Sequence, residues 1–269
     1  MENKSINYEN QSIHYTAAGE GKLVVLLHGF GEDSQVWKHQ VDFLKDKFRL
    51  IVPDIPGSGR SSLLPNANID TYANVIKEIV QQELTNRDGA EPTFAFIGHS
   101  MGGYVAIAFA EKFPELLNSL GMVHSSVFAD NQEKKETRAK AIDFIKNNSV
   151  EAFLKTSTPA LFTKAFAEAN PEVVNGLIEE GKKFTPEALI QYYEAMIQRP
   201  DRTEVLKAFP KPVLYIIGEH DTAIPLDASV KQCYLASQSH VHILAQSAHM
   251  GMWEETSKVN DALLSFLQS

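Results

Sequence analysis

Short, nearly continuous apolar runs alternate along this chain with longer stretches in which apolar residues return every three or four positions. The runs fall at residues 12–17, 23–28, 49–53, 93–97, 119–124, 213–217 and 241–245, and they predict strands. Several have no polar break, as in Leu23-Val24-Val25-Leu26-Leu27, the mark of strands covered on both faces. Helical spacing at residues 35–47, 69–86, 102–113, 226–236 and 254–267 supplies the covering layers. Strand and helix in alternation predict an α/β fold built on a doubly wound, mostly parallel sheet.

Between residues 125 and 209 the alternation stops. This stretch contains no strand-like run and reads as helices punctuated by Pro159, Pro171, Pro186 and Pro200. It is too long for one crossover, so we expect a helical cap insertion, 125–209, on a core formed by residues 1–124 and 210–269. No internal repeat and no Gly/Ser linker divides the chain.

The sharpest local feature is Gly98-His99-Ser100-Met101-Gly102, placed between the run 93–97 and the small-residue helical pattern that follows. A serine on a tight strand-to-helix turn is forced into a strained backbone and projects its hydroxyl above the sheet edge. Glycine is needed on either side because a side chain there would meet the neighbouring strand or helix. Serine is a poor nucleophile at neutral pH, so it needs a base, and the base needs a carboxylate to orient it. Loops at the carboxyl ends of later strands converge on the same crevice. Two carry suitable residues: Asp221, in Gly218-Glu219-His220-Asp221, and His249, in Ser247-Ala248-His249. A glycine-flanked turn, His28-Gly29-Phe30-Gly31, can aim a backbone N–H at the same place.

Composition narrows the setting. With 25 basic and 34 acidic residues the net charge is −9, the wrong sign for a nucleic-acid backbone or an anionic lipid surface. No apolar stretch approaches the roughly 18 residues of a membrane span, and the polar N-terminus lacks a secretory apolar region, so the expected location is the cytoplasm. Cys233 is the one cysteine, which excludes an internal disulfide and a Cys-rich zinc site. His240 and His242 alternate on one strand without an acidic or thiol partner at ligand spacing, so no metal is expected. Gly57-Ser58-Gly59 follows a strand but opens no helix, which excludes a dinucleotide fingerprint; no cofactor is expected.

These pieces together resemble the α/β-hydrolase superfamily, in its cap-bearing serine esterase-like branch. The matching motifs are the turn 28–31, the loop Asp54-Ile55-Pro56-Gly57-Ser58-Gly59-Arg60-Ser61, the elbow, the acid loop 218–225 and His249. The resemblance implies Ser100 as nucleophile, His249 as base and acid, and Asp221 as orienting carboxylate, in the chain order of that architecture. It also implies an oxyanion hole from the backbone N–H groups of Phe30 and Met101, and a cap over the site. The fold hosts many chemistries, so the substrate is much less defined than the triad.

Serine at the elbow separates the chain from haloalkane dehalogenases and epoxide hydrolases, which carry aspartate there. The expected activity is hydrolysis of small neutral carboxylic esters through an acyl-enzyme. A C–C bond hydrolase or perhydrolase with the same triad is the alternative; the C–C enzymes usually have asparagine where this chain has His99. From another class comes a slow-turnover ligand-sensing receptor. Asp130 competes with Asp221 as the acid. His28, His99, Asp54 and Arg60 are expected to fix loops, and His220 to stand beside the acid. Phe144, Phe153, Phe162, Phe166, Phe184, Tyr192, Tyr193 and Met196 are read mainly as cap packing. The charge run Glu133-Lys134-Lys135-Glu136, continuing to Arg138 and Lys140, is read as a solvated helix face, which leaves a neutral pocket. The oligomeric state is not legible.

Overall fold

In the computed structural model, residues 1–85 and 93–269 are described. Eight strands, β1 (Glu2–Tyr8), β2 (Gln11–Ala18), β3 (Leu23–Leu27), β4 (Arg49–Pro53), β5 (Phe94–His99), β6 (Leu117–Val123), β7 (Val213–Gly218) and β8 (Ser239–Leu244), form one sheet. Their order is β1-β2-β4-β3-β5-β6-β7-β8. The β1/β2 and β2/β4 pairs are antiparallel and the rest are parallel.

β1 was not predicted, and its residues explain why. Seven positions, Glu-Asn-Lys-Ser-Ile-Asn-Tyr, bury Ile6 alone, because an edge strand needs little apolar surface. Glu9 and Asn10, both in the left-handed region (φ 49° and 63°), make the two-residue turn that folds it onto β2. Lys4 reaches Glu83 at 2.8 Å, and Tyr15 Oη and Arg49 reach the same carboxylate, which ties this edge to a helix.

That helix is α2 (Ile69–Thr85), which follows α1 (Lys38–Leu44); Asn86, the last residue of its predicted span, lies outside the described residues. The helix predicted over 35–47 is split: Asp33 caps a 3-10 turn, Ser34–Trp37, by accepting from Gln35 N at 2.8 Å, and α1 starts after it. α3 (Met101–Lys112) is buried from Met101 to Ala110, as a helix between sheet and further helices must be.

From β6 to β7 the chain runs through α4 (Gln132–Asn147), α5 (Val150–Ser157), α6 (Lys164–Ala169), α7 (Pro171–Gly181), α8 (Pro186–Gln198) and α9 (Thr203–Ala208). Side chains of Asn131, Ser149, Thr163 and Thr185 cap the first, second, third and fifth of these, and Pro171 and Pro186 sit in first turns, where their missing N–H costs nothing. Arg202, just before α9, pairs with Asp70 of α2 and Glu111 of α3, anchoring the return to the sheet. After β7 come α10 (Leu226–Cys233), α11 (Gly251–Glu254) and α12 (Thr256–Gln268). The helix predicted over 254–267 is α12, which starts two residues later, after a break at Glu255 (φ −130°, ψ 52°) that separates it from α11. The core is continuous across both faces of the sheet, with Tyr15, Leu26, Trp37, Phe96 and Phe109 fully buried.

Candidate active site

Ser100 lies between β5 and α3 with φ 50° and ψ −115°, a conformation that costs about 1–3 kcal/mol for a non-glycine residue. Its surroundings hold it there. Ser100 N donates to Val123 O at 2.9 Å, and Ser125 Oγ donates to Ser100 O at 2.7 Å. A Cβ on Gly98 would come within 2.3 Å of Gly102, and one on Gly102 within 2.4 Å of Leu27 O. These two glycines let strand, turn and helix pack at a distance no side chain fits.

Asp221 follows β7 and His249 follows β8. Asp221 Oδ1 accepts from Ala223 N and Ile224 N, each at 2.8 Å, while Oδ2 accepts from His249 Nδ1 at 2.7 Å. Burial alone would raise the Asp221 carboxyl, but the electrostatic pull and hydrogen bond of His249, with the His124 ring close by, hold it far below the usual carboxylate range. Because Nδ1 donates to Asp221, a neutral His249 presents Nε2 as a proton acceptor. The acid and histidine loops are locked together: His220 N donates to Ser247 O, and a Cβ on Gly218 would lie 1.9 Å from Ala248 O. Ser100 and His249 line one cavity of about 180 Å³ with Phe30 and Tyr104. That volume suits a small substrate.

Phe30 lies in the turn after β3, which passes so near the elbow that a Cβ on Gly29 would be 3.0 Å from Ser100 Cβ. Met101 opens α3, where the first N–H groups of a helix have no intrahelical acceptor. The turn that carries Phe30 and the first turn of α3 thus both lie beside Ser100.

Asp130 is not brought to His249. Its two oxygens are taken by Arg138 Nε (2.6 Å) and Arg199 (2.8 Å). His28 fixes loops as expected, with Nδ1 donating to Gly29 O and Nε2 accepting from Ile55 N. Asp54 accepts from Ser34 N and Arg60 N. His220 is exposed beside Asp221. His240 packs on Phe266, and Cys233 donates to Ser229 O.

Three site residues gave no sequence signal of their own. Glu32 is buried and bonds His99 Nδ1 at 2.9 Å and Gly29 N at 2.7 Å. His124 is buried with its Nδ1 3.3 Å from Asp221 Oδ2, outside hydrogen-bond geometry, and neither ring nitrogen has a partner. Burial pushes it down to about 4 despite Asp221, so it is neutral at working pH. Glu254 joins Ala248 N (2.8 Å) to Thr163 N (2.7 Å). Among the described residues, His124, Asp221 and His249 are the one trio whose ligand atoms could surround a metal, but Asp221 already spends both oxygens on protein donors.

The charge run corrects an expectation. Lys134 and Arg138, one turn apart on α4, face inward and line the cavity. Their spacing puts them on one side of the helix, and only its packing over the sheet decides that this side is the inner one. The pocket is not free of cations. Of the cap aromatics, Tyr193 reaches the cavity with Met196; Phe153 packs behind it on Phe30, Tyr192 donates to Pro56 O, and Phe162 stacks on Phe166.

A family model for the α/β hydrolase fold matches residues 22–256. A 2-hydroxy-6-oxononadienedioate/2-hydroxy-6-oxononatrienedioate hydrolase of Pseudomonas sp is 27% identical over 270 residues, covering 96% of this chain and 92% of its own. A 2-hydroxy-6-oxo-6-phenylhexa-2,4-dienoate hydrolase of Comamonas testosteroni is 25% identical, covering 95% and 91%. Among solved structures, a thermophilic esterase from Thermogutta terrifontis superimposes with a TM-score of 0.91 at 26% identity, covering 100% of this chain and 98% of its own. No helix among the described residues is long and apolar enough to cross a membrane.

Proposed function

The chain belongs to the α/β hydrolase family, and on that premise we propose that it is a serine hydrolase of small carboxylic esters, with Ser100, His249 and Asp221 as its triad. The observation that carries this reading is the 2.7 Å Asp221–His249 bond, which engages Nδ1 and leaves Nε2 to act, in a histidine that lines the same cavity as the strained Ser100. His249 takes the Ser100 proton as Oγ bonds the ester carbonyl, and the N–H groups of Phe30 and Met101 face the oxygen that gains charge. Collapse breaks the bond to the alcohol, which leaves with the proton from His249. Water, deprotonated by the same histidine, then releases the acid and restores Ser100. Residues 125–209 act as the cap that keeps bulk water from the acyl-enzyme.

A second reading is cleavage of a carbon–carbon bond beside a ketone by the same residues. It is favoured by the names of the dienoate and dioate hydrolases that match nearly the whole chain. His99 weighs against it, since the C–C enzymes usually place asparagine there.

Rapid-quench kinetics with a nitrophenyl ester, combined with intact-mass measurement after fluorophosphonate treatment, tests the proposal. One adduct per chain on Ser100 and a burst equal to the enzyme concentration are expected. Continued ester turnover by Ser100→Ala would overturn it. Repeated turnover after the burst distinguishes an enzyme from a receptor that stalls after one event.

A further inference from the structure

Building on the hydrolase reading, we propose that Lys134 and Arg138 form a carboxylate subsite, so that the substrate is an ester carrying one carboxylate rather than a neutral one. Both side chains line the cavity that holds Ser100 and His249. Lys134 Nζ donates to the Ala223 carbonyl at 2.7 Å, a bond that fixes it beside the Asp221 loop and uses one of its three donors. No acidic side chain pairs with it among the described residues, so a cation stands on the cavity wall without a counter-charge. Arg138 gives Nε to Asp130, and its guanidinium lies 5.8 Å from the centre of the Tyr193 ring, which also lines the cavity.

The charge balance of this wall is positive. Asp130 is one carboxylate shared by two guanidinium groups, Arg138 and Arg199, and Lys134 adds a third cation. Nearer Ser100, Glu32 is matched by His99, while Asp221 beside a neutral His249 subtracts one charge and leaves the wall still positive, its two oxygens already taken by Ala223 N, Ile224 N and His249 Nδ1. The phenol of Tyr104, buried in the same wall, responds to this field. Burial would raise it, yet Arg199, Lys134 and Arg138 together hold it below its ordinary value. A carboxylate entering the cavity meets the free donors of Lys134 and Arg138, and charge-assisted bonds of that kind discriminate on the order of 10- to 100-fold. The overall charge of −9 does not prevent this, because distant exposed charges are screened over about 8–10 Å whereas the wall acts at contact.

The test compares kcat/KM for three esters: nitrophenyl butyrate, the nitrophenyl half-ester of glutarate, and a butyryl ester of a hydroxybenzoate read against phenyl butyrate. The second carries its carboxylate on the acyl side and the third on the alcohol side. One of the two anions is expected to exceed its neutral match about 10-fold or more. The ratio should collapse toward one in Lys134→Met, return in Lys134→Arg, and shrink between about 50 and 500 mM salt. Thermal unfolding of each variant shows whether losing the Ala223 bond disturbs the fold. Neutral esters cleaved as well as both anions, or a preference that survives Lys134→Met in a folded protein, would overturn the subsite while leaving the hydrolase reading intact. If no ester turns over, the hydrolase reading of esters fails, and calorimetric titration of Ser100→Ala with glutaric monoanilide and butyranilide decides the subsite alone. Equal affinity for the two would overturn it.

Discussion

The ring of His99 spans the two loops that flank Ser100: Nε2 donates to the backbone carbonyl of His249 at 3.0 Å, and Nδ1 donates to Glu32 at 2.9 Å. Both nitrogens face acceptors, so both carry hydrogen and the ring is an imidazolium paired with a buried carboxylate. Burial would push His99 down, but the Glu32 charge and hydrogen bond and the His249 carbonyl outweigh it and raise His99 above its ordinary value. Burial would raise Glu32, yet His99 and the Gly29 N–H hold it below its own. The pair therefore fixes the backbone of His249 and the turn that carries Phe30 at once.

The first prediction concerns pH. His99, raised in the folded protein, contributes stability that is complete below its unfolded value of 6.5 and is lost as pH rises through the folded value. Glu32, lowered, contributes stability that is present above its unfolded value of 4.5 and is lost as pH falls through the folded value. The pair should stabilise most between about 4.5 and 6.5. Glu32→Gln should cost about 3 kcal/mol in that window, or roughly 6–12 °C in Tm, converging on the wild type at both extremes. Scanning calorimetry across pH checks it; a difference independent of pH would mean that the pair is not charged.

The triad gives the second. Ser100→Ala or His249→Ala should each lower kcat on the order of 10⁴-fold or more, and the double variant should be little worse, because the residues act as one unit. Steady-state ester hydrolysis with thermal unfolding as control measures this. More than about a tenth of wild-type activity in Ser100→Ala would contradict the mechanism.

Asp221 and Asp130 should separate by kind of effect. Asp221→Asn should leave the fold in place and lower kcat on the order of 10⁴-fold, because the amide cannot hold the His249 tautomer. Asp130→Asn removes the carboxylate shared by two buried guanidinium groups, so it should lower Tm and change kcat far less. Unfolding temperature and kcat for the two variants, measured side by side, decide it, and equal losses of kcat would assign no special role to Asp221.

Glu254 provides the fourth. It holds Ala248 N beside the base and Thr163 N in the helical insertion, while His249 N donates to Leu161 O. Glu254→Ala should loosen the segment 159–163 and lower kcat/KM on the order of 10-fold, with faster amide exchange at Thr163 and Ala248. Exchange unchanged at both amides would show that Glu254 is not the tie.

Local chemistry made much of this protein legible in its sequence. The strand runs, the elbow glycines and the loops carrying Asp221 and His249 follow from backbone sterics and from the period of apolar residues, which act over a few positions. The polar edge strand Glu2–Tyr8 escaped that reading because its stability comes from pairing with β2 and from Lys4 reaching Glu83, not from its own apolar content. The charges were decided by tertiary structure. Glu32 becomes a partner of His99, Asp130 becomes a clamp on two arginines, and Lys134 turns from a residue in a charge run into the wall of a cavity only when distant segments are packed together. A charge in sequence has no sign of effect until its neighbours and its share of solvent are fixed. The same residues that looked like a solvated face therefore define the electrostatics of the site.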